Sequence, residues 1–199
     1  MNIAVLMGSP NEWGSTYLLA NAFRRGAEES GHEVQLIDVA HARLQPCGGC
    51  IACGYDGPCV QKDDMERIGT AILEADMLVF ATPLYYYGMS AQLKTVIDRF
   101  CALNGRIQRK HMKSALLSVA WNADNWTFDA LKAHYHTLVR YLNLQDQGMV
   151  LGKGCGTPSM TRASSYPQQA RQLGQNLDRS GAHMKQRIKT GVDIAMPVL

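Results

Sequence analysis

Short apolar runs alternate along the chain with longer segments whose apolar positions recur every three or four residues. Each run is bounded by polar or turn residues, and the runs lie at residues 3–8, 33–39, 76–83, 113–120 and 145–152. The intervening segments have helical periodicity and lie at residues 15–30, 64–74, 88–100, 127–141 and about 168–189. Mostly apolar strands that alternate with helices are typical of a parallel sheet covered on both faces. The pattern therefore predicts a three-layer α/β fold with a doubly wound, five-stranded parallel sheet.

Such a sheet binds ligands beyond the carboxyl ends of its strands. The loops after residues 7, 39, 82, 120 and 151 are therefore the places to look for chemistry. No Pro-, Ser- or charge-rich linker divides the 199 residues, so we expect a single domain over residues 1–199. The last 15 or so residues, which include Pro197, are predicted to form a loose tail.

Composition and charge exclude several classes of partner. The chain is 46% hydrophobic and 19% charged, and its formal net charge is only +3. Its basic residues are scattered, so we expect neither nucleic acid nor an acidic membrane as a partner. No stretch approaches 18 uninterrupted apolar residues, and the first ten residues do not have the pattern of a signal peptide. We therefore expect a cytoplasmic location.

The loop after the first strand, "GSPNEWGST", has the residue types of an anion site. Backbone N–H groups at the start of a helix, with the hydroxyls of Ser9, Ser15 and Thr16, suit a phosphate-sized anion. No lysine follows Gly14, and the loop lacks the dinucleotide and Walker-type patterns, so we expect a terminal monophosphate rather than a triphosphate. The alternative is that Ser15 and Thr16 only cap the helix, because capping uses the same residue types.

The loop after the third strand, "TPLYYYGMS", places three tyrosines in a row between Pro83 and Gly88. Three consecutive aromatic residues at the end of a strand cannot all point into the core, so at least one is free to face a planar ligand. The alternative is that one tyrosine packs beneath the next helix and the others are surface residues. Trp121, Asn122 and Trp126 follow the fourth strand and could line the same crevice.

Four of the six cysteines fall within a loop at residues 46–60, which we call the cysteine loop. Cys47, Cys50, Cys53 and Cys59 have the spacing C-x2-C-x2-C-x5-C among glycines, which could surround a [4Fe-4S] cluster. Free or disulfide-bonded thiols are favoured slightly over such a cluster. Zinc fits less well, because four-thiolate zinc sites use two C-x2-C pairs with a longer spacer. Cys101 and Cys155 stand apart in sequence, and we expect Cys101 to be buried structure.

Together these segments resemble the NAD(P)H-dependent FMN reductase and iron–sulfur flavoprotein branch of the flavodoxin-like superfamily. The resemblance is carried by "GSPNEWGSTYLLANAF", "CVQKDDM" and "ATPLYYYGMSAQLKTVIDRF". It implies a sheet of strand order 2-1-3-4-5, bound FMN, and a homodimer or homotetramer. It also implies that the phosphate loop is formed by Ser9, Asn11, Ser15 and Thr16. The loop beside the flavin ring would be formed by Pro83, Leu84, Tyr85, Tyr86 and Gly88, with Trp121 and Asn122 near its other edge.

The expected function is that of an FMN-dependent NAD(P)H oxidoreductase, which passes electrons to a quinone, a flavin or another small-molecule or protein acceptor. Most of the chemistry would belong to the flavin, so no catalytic acid or base is nominated. The alternative is a non-enzymatic electron carrier that uses FMN and a [4Fe-4S] cluster in the cysteine loop. A thiol-based redox or metal-binding module without flavin is a third interpretation. It leaves unexplained the loop "TPLYYYGMS", which we call the tyrosine loop.

Overall fold

Five parallel strands form one sheet in the order β2-β1-β3-β4-β5, which confirms the predicted topology. The architecture is taken from a computed structural model, and residues 1–177 are described. The strands are β1 (Asn2–Met7), β2 (Glu33–Asp38), β3 (Met77–Pro83), β4 (Lys113–Val119) and β5 (Gln145–Gly152). The helices are α1 (Ser15–Glu29), α2 (Met65–Glu74), α3 (Ala91–Asp98), α4 (Asn104–Lys110), α5 (Asp129–Tyr141), α6 (Pro158–Ala163) and α7 (Tyr166–Gln175).

Helices cover both faces of the sheet, and alternate residues of each central strand enter different cores. On one face, Leu6 and Phe80 pack with the apolar sides of α2, α3 and α5. On the other face, Val5 and Val79 pack against α1 and α7. Because both faces are buried, the central strands have continuous apolar sequences instead of an alternating pattern.

The helical predictions differ from the structure mainly after β3. The segment predicted as one helix over residues 88–100 begins three residues later, because the Ser90 hydroxyl accepts a hydrogen bond from Leu93 N at 3.3 Å and caps α3. The chain then continues through a 3-10 helix, Arg99–Leu103, into α4. The sequence pattern did not predict either of these two elements.

The C-terminal part of the prediction is also corrected. Helix α6 was not predicted, although Thr157 and Pro158 are an ordinary helix-start pair. The helix predicted over residues 168–189 corresponds to α7, which ends at Gln175, with Gly174 weakening its last turn. The remainder of that prediction and the loose tail lie outside the described residues.

Helices α1 and α7 approach each other unusually closely. A Cβ atom added to Gly26 would lie 2.0 Å from the carbonyl oxygen of Arg171, and one added to Gly174 would lie 2.3 Å from that of Phe23. Only glycine allows the two backbones to touch in this way. The side chain of Arg171 also donates two hydrogen bonds to the carboxylate of Glu29, at 2.8 and 3.1 Å. Within residues 1–177, no helix is long and apolar enough to span a membrane.

Candidate functional site

The loop after β1 is anchored to β3 and α3. The N–H of Gly8 donates to the carbonyl oxygen of Ala81 at 2.8 Å, and the Ser90 hydroxyl donates to the carbonyl oxygen of Gly8 at 2.6 Å. A Cβ atom at Gly8 would lie 2.7 Å from Cβ of Leu93. A larger residue would push this contact apart, so the loop follows a path that only glycine permits.

Within this loop, hydroxyl and amide side chains shape a turn that leads into α1. The Ser9 hydroxyl accepts a hydrogen bond from Asn11 N at 3.2 Å, and Asn11 Oδ1 accepts one from Trp13 N at 3.1 Å. The helix N-cap is Gly14, which has no side chain to satisfy the first amides of the helix. Side-chain capping by Ser15 or Thr16 is therefore not the arrangement that the structure shows.

Ser15 is the residue that makes this loop a candidate binding site. Its hydroxyl is buried and has no hydrogen-bond partner among the described residues. Thr16, beside it, is also buried, and the first turn of α1 contains no acidic residue. A buried hydroxyl without a partner carries a desolvation cost that a bound acceptor would remove. The N-terminus of a helix favours an anionic acceptor.

The tyrosine loop after β3 is a tight turn with unusual backbone angles. Tyr85 and Gly88 exchange two backbone hydrogen bonds, each 3.1 Å long. The two residues between them, Tyr86 and Tyr87, have φ values of +45° and +64°. Residues other than glycine are strained at positive φ, and residues with such strain cluster at the functional sites of native proteins. Tyr86 is fully exposed, whereas Tyr87 contacts the ring of Trp126 with centroids 4.9 Å apart.

The phosphate loop and the tyrosine loop meet in one cavity of about 340 Å³, with walls from the loops after β1, β3, β4 and β5. We call it the flavin cavity, after the ligand that the sequence resemblance predicts for it. Predicted site residues that line it are Ser9, Asn11, Ser15, Thr16, Pro83, Leu84, Tyr85 and Trp121. Predicted residues that do not line it are Tyr86, Gly88 and Asn122. The Asn122 side chain instead accepts a hydrogen bond from Asp124 N at 3.1 Å.

The lining also includes residues outside the predicted set of flavin-binding residues, namely Gly14, Val119, Ala120, Cys155, Gly156 and Pro158. Most of these are small or apolar and carry no chemical signature. Gly156 has a clear role, because a Cβ atom there would lie 1.8 Å from Cε3 of Trp121. The indole ring therefore lies directly on the backbone of the loop after β5. None of the described residues that line the flavin cavity is charged.

Three titratable side chains lie next to the phosphate loop. His41 Nδ1 is 2.8 Å from Asp38 Oδ2 and 4.0 Å from Glu12 Oε1. The hydrogen bond to Asp38 raises the pKa of His41 above its ordinary value. Asp38 Oδ1 also accepts backbone hydrogen bonds from Ala40 and His41 at 3.0 and 3.1 Å. The group thus ties the end of β2 to the loop that contains Glu12.

The cysteine loop has a strained backbone and is docked on α4. Ile51 has a φ of +58°, which is a rare conformation for a β-branched residue. Asp56 accepts hydrogen bonds from Arg106 N at 3.0 Å and from Arg109 Nη2 at 2.7 Å. These contacts to Arg109 and Arg106 hold the pKa of Asp56 below its ordinary value.

Five cysteines line a second cavity of about 150 Å³, which we call the thiol cavity. Four of them are the predicted residues Cys47, Cys50, Cys53 and Cys59, and the fifth is Cys101. Burial raises the pKa of the Cys101 thiol, and its neighbours Cys47 and Cys53 add to the rise. The expectation that Cys101 stands apart as buried structure is therefore wrong: it is partly exposed, and the 3-10 helix brings it beneath the loop.

The spacing of these sulfur atoms bears on the kind of group the loop could hold. Four thiolates around one zinc ion stand about 3.8 Å apart, as follows from Zn–S bonds of about 2.3 Å in a tetrahedron. Within residues 1–177, no three cysteine Sγ atoms lie within 4.8 Å of one another. A cluster is bound by thiolates at several iron atoms and so accepts a wider spacing. No disulfide is formed by the six cysteines, all of which are described.

Comparison with known proteins identifies the family of this chain. Residues 1–157 match the family described as NADPH-dependent FMN reductase, so the match covers all five strands and the whole flavin cavity except Pro158. The chain belongs to this family. The predicted resemblance is thereby confirmed, together with the flavodoxin-like fold.

Two curated relatives show the extent of the sequence similarity. Over 99 residues, 50% of this chain and 45% of the relative, the sequence is 35% identical to an iron-sulfur flavoprotein of Archaeoglobus fulgidus. Over 162 residues, 77% of this chain and 86% of the relative, it is 29% identical to YwqN of Bacillus subtilis, whose name describes an NAD(P)H-dependent FMN-containing oxidoreductase. The chain spans about half the length of the curated iron-sulfur flavoproteins it matches.

Solved structures show the same fold at low sequence identity. An NAD(P)H:quinone oxidoreductase from Methanothermobacter marburgensis superposes with a TM-score of 0.73 at 18% identity, and the match covers 89% of this chain and 96% of that one. An archaeal flavodoxin superposes with a TM-score of 0.55 at 14% identity, covering 92% of this chain and 100% of that one. These likenesses establish the flavodoxin-like architecture.

Proposed function

We propose that the protein is an FMN-dependent NAD(P)H oxidoreductase that passes electrons from a reduced nicotinamide to a quinone, a flavin or another acceptor. The observation that carries the proposal is the flavin cavity. There the buried hydroxyl of Ser15, which has no partner in the described part of the chain, lies at the N-terminus of a helix. The family match over residues 1–157 supports FMN as the ligand.

The phosphate of FMN would bind at the start of α1. The hydroxyls of Ser9, Ser15 and Thr16 and the free amides of the first helical turn would donate hydrogen bonds to its oxygens. Because no charged side chain lines the described cavity, the helix dipole and these donors must supply the stabilisation of the dianion.

The flavin ring would lie between the loops after β3 and β4. Pro83, Leu84 and Val119 provide apolar walls, and Leu84 N donates to Val119 O at 2.8 Å, which fixes the two loops relative to each other. When bound, FMN supplies hydride acceptance and electron transfer. Trp121, which lines the cavity, is 72% exposed in the single chain.

A spectrum and a turnover assay test this proposal. Protein purified without air should show flavin absorbance, or take up FMN in a titration, and should oxidise NADH or NADPH when a benzoquinone or free FMN is added. Failure to bind FMN would refute the site. Binding of FMN without nicotinamide oxidation would refute the activity.

An electron carrier with FMN and a [4Fe-4S] cluster is the second candidate, and the thiol cavity favours it. Cys47, Cys50, Cys53 and Cys59 would be the iron ligands, and the lining of one cavity by all four thiols supports this assignment. Iron and acid-labile sulfide should then be present in protein purified without air, with broad absorbance beyond the flavin bands. Brisk nicotinamide oxidation would argue against a carrier that is not an enzyme.

A homodimer or homotetramer is the assembly that we propose. Trp13, Tyr86 and Trp121 lie on three loops around the flavin cavity, and each is largely exposed in the single chain. Exposed aromatic residues grouped in this way mark an interaction surface. Sedimentation analysis should give a mass of two or four chains, and Trp13→Ser with Tyr86→Ser should lower it. A monomeric wild-type protein would refute this assembly.

A further inference from the structure

The two ends of the cysteine loop lie side by side at a point that we call the neck, formed by Gln45, Pro46, Gln61 and Asp63. Gln45 N donates a hydrogen bond to Asp63 Oδ2 at 3.2 Å. The side-chain amide of Gln61 donates to the carbonyl oxygen of Pro46 at 3.1 Å. Cys47 directly follows Pro46, and Cys59 lies two residues before Gln61.

One buried side chain, that of Arg99, binds both ends of the neck. It lies on the 3-10 helix and is only 1% exposed. Its Nη1 donates to the carbonyl oxygen of Gln45 at 2.9 Å and to Gln61 Oε1 at 2.8 Å. Nη1 also donates to Asp63 Oδ2 at 2.7 Å, and Nη2 donates to Asp63 Oδ1 at 3.1 Å. The planar guanidinium can donate to several acceptors at once, and so it can bind both ends of the loop. A lysine ammonium at this position is a single point charge without that planar set of donors.

The same guanidinium also faces the thiols. Arg99 and Cys59 line the thiol cavity together, and Cys59 is an electrostatic neighbour of the guanidinium. The Nε–H of Arg99 is buried and donates to no atom of the described residues. A buried N–H without an acceptor is costly, and an acceptor brought into the thiol cavity by a bound group would remove that cost.

We propose that Arg99 is a positioning residue of the cysteine loop: it closes the neck so that the thiols face one cavity, and it offers its remaining N–H and its charge to the sulfur of Cys59. The closing of the neck does not depend on a metal. The interaction with a metal-bound sulfur rests on the iron–sulfur site proposed above.

The charge has a definite consequence for a cluster. Reduction adds negative charge, and a nearby cation with an N–H donor to a ligand sulfur stabilises the reduced form. Loss of the guanidinium should therefore shift the reduction potential of the cluster to more negative values.

Hydrogen exchange and redox titration of three variants test the proposal on protein that contains FMN. Arg99→Gln removes both the positive charge and the planar set of N–H donors, whereas Arg99→Lys retains only the positive charge. Arg109→Gln is the matched control, because Arg109 binds Asp56 in the same loop while its side chain is 66% exposed. Amide exchange at residues 46–60 is compared with exchange in β1, and iron content and cluster potential are measured after reconstitution.

We expect exchange at residues 46–60 to be at least tenfold faster in Arg99→Gln, with β1 unchanged, and wild-type exchange in Arg109→Gln. Iron retention should fall in both Arg99 variants, and the potential should become more negative in Arg99→Gln only. Unchanged loop exchange in Arg99→Gln, or an equal effect of Arg109→Gln, would overturn the positioning role.

Two further outcomes are decisive. If the wild-type protein binds no iron, the iron–sulfur proposal and the charge effect both fail, while the exchange comparison still decides whether Arg99 closes the neck. If Arg99→Gln does not fold, Asp63→Asn takes its place. That variant keeps the guanidinium and should loosen the loop without lowering the potential, and an unaltered loop would count against the proposal.

Discussion

Replacement of Ser15 by alanine should change protein stability and FMN affinity in opposite directions. The Ser15 hydroxyl is buried and has no partner within residues 1–177, so the flavin-free protein bears its desolvation cost. Alanine removes that cost and is also the better helix former at the first residue of α1. If the hydroxyl exists to bind phosphate, the same change removes a hydrogen bond to a charged group.

The two effects can be estimated separately. Release of a buried unsatisfied hydroxyl is worth about 1–3 kcal/mol, of which a gain of about 1 kcal/mol in unfolding free energy is a conservative expectation. For a chain of this length, that gain raises the melting temperature by about 2–4 °C. Loss of a hydrogen bond to phosphate costs about 1.5–3 kcal/mol, which raises the Kd for FMN roughly 10- to 100-fold.

The assay compares Ser15→Ala with Ser118→Ala. Ser118 on β4 also has a buried hydroxyl without a described partner, but it does not line the flavin cavity. Urea denaturation of the flavin-free proteins gives the stabilities, and quenching of flavin fluorescence gives the Kd values. We expect both variants to gain stability and only Ser15→Ala to lose affinity. Unchanged FMN affinity in Ser15→Ala, or equal losses in the two variants, would refute the assignment of the phosphate site.

Three further changes probe the surrounding loops. Tyr86→Gly relieves a φ of +45° at a fully exposed residue, so the unfolding free energy of the flavin-free protein should rise by about 0.5–1 kcal/mol in urea denaturation. Gly156→Ala places a Cβ atom 1.8 Å from Trp121 Cε3, so the indole must move and FMN should bind roughly tenfold more weakly in a fluorescence titration. The ring of His41 should titrate above its ordinary pKa of 6.5 by NMR, because Asp38 stabilises the charged form, and Asp38→Asn should bring the value back.

Each of these three predictions would be contradicted by a specific result. A less stable Tyr86→Gly protein would show that the turn is not strained, and full FMN affinity in Gly156→Ala would show that the indole position is irrelevant to binding. For His41 the sign is fixed: a raised folded-state pKa contributes stability below the ordinary value, and this contribution is lost as the pH rises through the raised pKa. Greater stability of the loop at higher pH would contradict the interaction with Asp38.

The sequence predicted the sheet and most of the flavin cavity because both depend on local patterns. Continuous apolar runs identify buried parallel strands, and the loops at their carboxyl ends follow from the topology. Ser9, Ser15 and Thr16 carry donors that are recognisable by type. Gly156 could not be found in this way, because its role depends on Trp121, which is distant along the chain.

The cysteine loop shows the same limit. The spacing of its four thiols indicated redox or metal chemistry, but Cys101 and Arg99 reach the loop through a 3-10 helix that helical periodicity does not predict. Arginine in "IDRF" looks like an ordinary surface residue of an amphipathic helix. Its burial follows from contacts with residues about 36 to 54 positions away, which no local pattern contains.

The backbone contact between α1 and α7 bears on where the folded unit ends. The family match stops at residue 157, yet Ala170 and Leu177 fill the core against α1, and the helix that begins at the phosphate loop rests on them. A chain that ended at residue 157 would expose to water the apolar face of α1, including the surface at Gly26 against which α7 packs. Such a fragment should aggregate or bind FMN poorly even though every residue of the phosphate loop remains. The boundary of sequence similarity therefore lies inside the packed core of this protein.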